Sequence, residues 1–120
     1  MNEERVHTLL DQVEEASRPA TSYVEGLSKT EFLEDSRTQQ AVAMNLVIIG
    51  EAVSRLETRF PEFLARFPEI PWRSMRGMRN RIAHGYFELD MEIVFDTVQT
   101  ELLRLSQNLP ALRAAVNASN

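Results

Sequence analysis

Five apolar residues, Val42, Leu46, Ile49, Val53 and Leu56, succeed one another at spacings of four, three, four and three. That rhythm lines them up as one seam along a helix. Ala41, Ala43, Ile48 and Ala52 widen the apolar surface, so a helix from Ser36 to about Glu57 belongs at the centre of the fold. Gly50 interrupts it. A glycine costs about 1 kcal/mol relative to alanine inside a helix, and its presence here predicts close approach of another backbone. Glu51 beside it is read as a solvated charge, with a nearby arginine as the alternative partner.

The remaining apolar residues follow the same period. Val6, Leu9, Leu10, Val13 and Ala16 mark an amphipathic helix over residues 3–17, which Pro19 should end or kink, Ala20 to Leu27 being the stretch that continues it after a kink. Gly26 is a stop, and Thr30 is a candidate N-cap for a helical turn after it. Phe60, Phe63, Leu64 and Phe67 lie in a turn or two bracketed by prolines, and should close the end of the core. Pro71 opens a helix whose buried side carries Met75, Met78 and Ile82 and which Gly85 should end. Asp90 caps the next helix, where Met91, Val94, Phe95, Val98, Leu102, Leu105 and Leu109 repeat until Pro110 breaks the run. Ala111 to Val116 form a last short helix, and residues 115–120 are expected to fray. No stretch alternates as a strand. The fold class is therefore all-α: an antiparallel bundle of four to five helices in a single domain, 1–120. The seam and the aromatics of residues 60–72 exceed what one small bundle needs, which predicts a homodimer.

Charge is distributed unevenly. Arg73, Arg76, Arg79 and Arg81 fall in a stretch with no Asp or Glu between Glu69 and Glu88, although the net charge is −5; the rest of the chain carries −5 − 4 = −9. A basic island in an acidic chain suits an anion such as a phosphate. The acidic balance argues against loose binding along nucleic acid but leaves room for one RNA segment in a small basic cleft. There is no cysteine, and the two histidines, His7 and His84, are far apart, so neither disulfides nor a dedicated metal site is expected. The polar, acidic N-terminus and the absence of a long apolar run predict a soluble, cytoplasmic protein with no membrane contact.

Within Arg76–Phe87, the residue types suit RNA cleavage without a metal. An imidazole takes a proton from a 2′-hydroxyl or gives one to the leaving 5′-oxygen near neutral pH. An arginine holds the phosphate bidentately and stabilises the charge that builds in the transition state. Asn80 would orient the histidine or the phosphate, and Tyr86 would stack on a base or donate to phosphate. Arg79 and His84 are five positions apart, roughly 140° around a continuous helix, so they meet only if the helix ends near Ala83–Gly85 and His84 swings back. Two chains meeting at the site would supply two histidines. Read alone, an Arg-rich helix is most often a solvated face, a histidine at a helix end answers the helix dipole, and a Tyr–Phe pair is most often core. His7 has no assigned role.

The stretch Arg79-Asn80-Arg81-Ile82-Ala83-His84-Gly85-Tyr86 reads R-x4-H-x-Y. With Phe32-Leu33-Glu34-Asp35, Gln40-Ala41-Val42, the run Asn45 to Ala52 and the run Pro71 to Asn80, in that order, it resembles the HepT-like branch of the HEPN superfamily over residues 5–110. The resemblance implies a helical HEPN fold and a homodimer with the motif in a cleft between subunits. It also implies a metal-independent ribonuclease acting as the toxin of a toxin–antitoxin module, with tRNA as the substrate class. The partner implied is an MntA-like nucleotidyltransferase antitoxin, which uses ATP to place AMP on the motif tyrosine and so silences the toxin. Carried over, Arg79 and His84 are the catalytic pair, Tyr86 is the AMPylation site, and Asn80, Arg76 and Arg73 support RNA binding; the chain itself needs no cofactor. The alternative is a non-catalytic regulatory subunit whose cleft holds a nucleotide or the nucleotidyltransferase, and a third reading is a purely structural helical dimer.

Overall fold

The Asn2 side chain accepts from the Arg5 N–H and starts α1, Glu3–Val24. A computed structural model describes residues 1–118 of the chain. Pro19 does not end α1. A proline removes one backbone donor, but Ala16, Ala20 and Val24 continue the buried stripe of Val6, Leu9, Leu10 and Val13 across it. Burial on both sides thus outweighs one lost hydrogen bond. Gly26, at φ +80°, turns the chain. Ser28, not Thr30, caps α2 (Lys29–Leu33), because Glu31 reaches back to the Ser28 N–H and closes a capping box.

Asp35 caps α3, Ser36–Arg59, through the Thr38 N–H. All five seam residues are fully buried within the one chain. The seam therefore supplies no surface for a second copy; the large apolar side chains that α3 leaves exposed are Met44 and Ile48. In α4 (Pro61–Ala65), Phe63 and Leu64 are buried, and beyond it the Trp72 indole donates to the Phe67 carbonyl at 3.1 Å. Helix α5 spans Trp72–Gly85 and runs directly into a 3₁₀ turn, Tyr86–Glu88.

Asp90 caps α6 (Met91–Thr97) by accepting from the Glu92 N–H. A π turn, Val98–Leu102, joins it without a break to α7, Leu103–Asn117. Pro110 lies inside α7 and does not break it. Leu105, Leu109, Leu112 and Val116 keep one buried stripe through it, packed with α1. His7 Nε2 lies 2.9 Å from Asn117 Oδ1, so the fraying expected from residue 115 starts no earlier than Ala118; Ser119 and Asn120 lie outside the described residues. The fold is an all-α antiparallel bundle of four long helical runs with two one-turn helices at the connections. Helix α3 packs between α1 and α5, and α1 also packs with α7. Among the described residues, no helix is long and apolar enough to cross a membrane.

Candidate active site

Helix α5 carries every side chain of the motif up to His84. Met75, Met78 and Ile82 bury one side of it, as their spacing predicts. Arg76 and Arg79 turn toward α3. Arg76 Nη1 donates to Glu57 Oε2 at 2.7 Å, and Arg79 grips Glu51 Oε1 through Nε at 3.0 Å and Nη2 at 2.5 Å. The reading of Glu51 as a solvated charge is thus corrected: it is the acidic partner of Arg79. The Arg79 hydrogen bonds, aided by its charge, hold the Glu51 carboxyl below the usual carboxylate range; partial desolvation works against them and Arg55 adds to them. Gly50 makes this approach possible. A Cβ there would overlap the Arg79 Cβ and come within 2.9 Å of its Cγ and 3.0 Å of the Met75 carbonyl oxygen. The glycine predicts a close approach, and α5 is what approaches.

These pairings halve the basic island. Two of its four arginines are matched by carboxylates from α3, a distant stretch of sequence. Arg73 and Arg81 are exposed and have no acidic partner among the described residues. Arg73, Gly77, Arg81 and His84 succeed one another at intervals of four, four and three, so they share one face of α5. That face borders a groove walled on the far side by Ile93, Thr97 and Glu101. At the other end, Arg81 and His84 line a second hollow with Glu88, Asp90 and Leu89. Arg81 lies in both and has no role in the motif; its i, i+3 relation to His84 is the sequence signal that marks it.

His84 is exposed and held inside the helix, because α5 continues through Gly85. It does not swing back to Arg79. The two stay about 140° apart around the axis, Arg79 on the α3 side and His84 at the second hollow. Within one chain they do not form a joint site. The Asn80 Oδ1 accepts from Arg79 Nη1 at 2.8 Å. Tyr86 is half-buried against the core, and its ring meets that of Phe87 edge-on at 6.2 Å. Phe87 itself is fully exposed, against the expectation that the Tyr–Phe pair is core. No group of three or more acidic, His or Cys residues suited to a metal ion occurs among the described residues.

A family model described as ribonuclease HepT-like matches residues 13–117. A proposed RNase of Methanocaldococcus jannaschii is 33% identical over 98 residues, which covers 82% of this chain and 78% of that protein. The probable ribonuclease HepT of Thermococcus cleftensis is 34% identical over 104 residues, 87% of this chain and 92% of that protein. A proposed RNase of Caldanaerobacter subterraneus subsp. tengcongensis is 33% identical over 86 residues, covering 72% and 74%. No solved structure gives a significant match.

Proposed function

Because the chain belongs to the HepT-like ribonuclease family, we propose that it is a metal-independent endoribonuclease that cleaves RNA with Arg79 and His84 in a cleft between two copies of the chain. The observation that carries this reading is the intact R-x4-H-x-Y run on a helix inside the matched region. The separation of Arg79 from His84 around α5 supports the dimer: the two groups serve one phosphate most simply when each chain offers its helix to a shared cleft.

In that cleft, the 2′-hydroxyl attacks the adjacent phosphorus. The O2′–P bond forms as the P–O5′ bond breaks, leaving a 2′,3′-cyclic phosphate and a free 5′-hydroxyl. One neutral imidazole takes the O2′ proton, and the protonated imidazole of the second chain gives a proton to O5′. Arg79 stabilises the equatorial oxygens. Arg73 and Arg81, with no carboxylate of their own, hold flanking phosphates, while Arg76 is committed to Glu57 and supports α5. The RNA is of the tRNA class. The module's other half is an MntA-like nucleotidyltransferase: the Tyr86 hydroxyl attacks the α-phosphorus of ATP, pyrophosphate leaves, and AMP remains on Oη. A bulky anion next to the arginines then competes with RNA. The Tyr86 hydroxyl makes no hydrogen bond among the described residues, which suits an acceptor.

The test is cleavage of a tRNA pool by purified chain in a metal chelator. The wild type should yield fragments ending in cyclic phosphate. Folded His84→Ala and Arg79→Ala should each lose about 100-fold or more in rate, the size of a general acid–base or oxyanion contribution. A folded His84→Ala that still cleaves overturns the assignment. Intact RNA from unmodified wild type points instead to the regulatory-subunit reading. Tyr86→Phe should cleave but resist silencing by the nucleotidyltransferase with ATP, read as absent mass gain and retained activity.

A further inference from the structure

The ribonuclease reading gives Glu51 no task, yet Glu51 decides how Arg79 points. A guanidinium has five N–H groups in a rigid plane. Glu51 Oε1 takes the one on Nε and one on Nη2; Asn80 Oδ1 takes one on Nη1. Two remain, one on each terminal nitrogen, and these two nitrogens make the terminal fork that can pair with two oxygens of a phosphate. The side chain keeps 31% of its exposure. The stem is fixed as well, because Gly50 lets the Arg79 Cβ and Cγ lie directly on α3.

We propose that Glu51 is a positioning residue for the reaction: with Asn80 it orients the Arg79 guanidinium so that its terminal fork is presented to the scissile phosphate. The inference rests on the ribonuclease reading. Glu51 does not occupy the terminal fork and so does not block it. It offsets part of the arginine's charge and in exchange removes the rotamer freedom that a long, half-exposed side chain would lose on meeting the transition state. A free arginine in place of this clamp would give stronger attraction at a distance and poorer aim at the phosphate.

The test compares wild type, Glu51→Ala, Glu51→Gln, Arg79→Ala and the Glu51→Ala/Arg79→Ala pair in steady-state RNA cleavage, with thermal melts of each. Glu51→Ala should lower kcat about tenfold or more with KM changed less than about threefold, as loss of aim predicts. Glu51→Gln keeps an acceptor for the Nε–H and should stay within about threefold of wild type. The pair should cleave no more slowly than Arg79→Ala alone, since Glu51 acts only through Arg79. If Glu51→Ala does not fold, Glu51→Asp, one methylene too short to hold Nε and Nη2 together, must show the same drop in kcat. Cleavage by folded Glu51→Ala at or above the wild-type rate overturns the proposal, as does an additional full loss in the pair. Wild type that leaves RNA intact overturns the ribonuclease reading and this role with it; active wild type and inactive Arg79→Ala beside an unaffected Glu51→Ala overturn this role alone.

Discussion

Two glycines in the helices that frame the site have opposite reasons for being there. At Gly50 the neighbour is the Arg79 stem and the Met75 carbonyl oxygen, atoms tied to the α5 backbone that cannot swing away. Alanine would gain about 1 kcal/mol in helix propensity, but the overlap forces α3 and α5 apart, at a cost of about 1–3 kcal/mol or more. Packing wins. Gly50→Ala should therefore lower stability in urea melts and weaken cleavage, because the Arg79–Glu51 bonds depend on that spacing. Gly77 lies on the groove side of α5, where an added Cβ meets nothing within 4 Å. Gly77→Ala should raise stability by up to about 1 kcal/mol. Equal effects at the two positions would remove the close-approach argument. The sequence shows this only in part: Gly50, set in the apolar seam, predicts a close approach, but which helix approaches it, and that nothing meets Gly77, are visible only in the fold.

At the level of elements, periodic burial is legible in the sequence, and local punctuation overstates its own effect. The seam Val42–Leu46–Ile49–Val53–Leu56 and the buried side of α5 follow from spacing alone, because helix packing obliges a buried face to be continuous. Pro110 misleads, and at Pro19 the helix runs on rather than ending, because the proline penalty is local, while the buried stripe that overrides it spans several turns. The same limit hides the site's wiring. Arg79–Glu51 and Arg76–Glu57 join residues 28 and 19 positions apart, and charge counted along the chain cannot show which carboxylates a folded helix will meet. Pro110 offers a direct check. It is exposed, and the residues that hold α7 to the core lie on either side of it. A proline in a helix interior costs about 3 kcal/mol, and alanine gives back about 0.4–1 kcal/mol of that through a less restricted unfolded chain. Pro110→Ala should thus stabilise the protein by about 2–2.6 kcal/mol in a thermal or urea melt. A loss of stability would mean that α7 is shaped around the proline.

Across the whole molecule, the ion pairs that bridge helices close the bundle at separate places. Arg113 of α7 reaches Asp11 and Glu14 of α1, each at 2.8 Å; Arg76 and Arg79 reach α3; Lys29 of α2 reaches Asp96 of α6 at 2.9 Å. The Arg113 hydrogen bond is the main reason the Glu14 carboxyl sits below the usual carboxylate range, and Arg79 does the same for Glu51. A carboxyl whose pKa is depressed by folding adds stability that is fully present above its unfolded value, about 4.3 for Glu, and is lost as pH falls through the folded value. Between neutrality and pH 5 these contributions should be constant. Below about 4.3 they should fade, first loosening the α1–α7 and α3–α5 contacts. Because the partners are part-exposed, each is worth only about 1 kcal/mol or less. Arg113→Ala should accordingly melt lower than wild type at pH 7, and the gap should narrow steadily on titration to pH 3 as Glu14 is protonated in both proteins. A gap that does not change with pH would mean that Arg113 holds α7 to α1 through its aliphatic stem, with the carboxylates contributing nothing to the closure of the bundle.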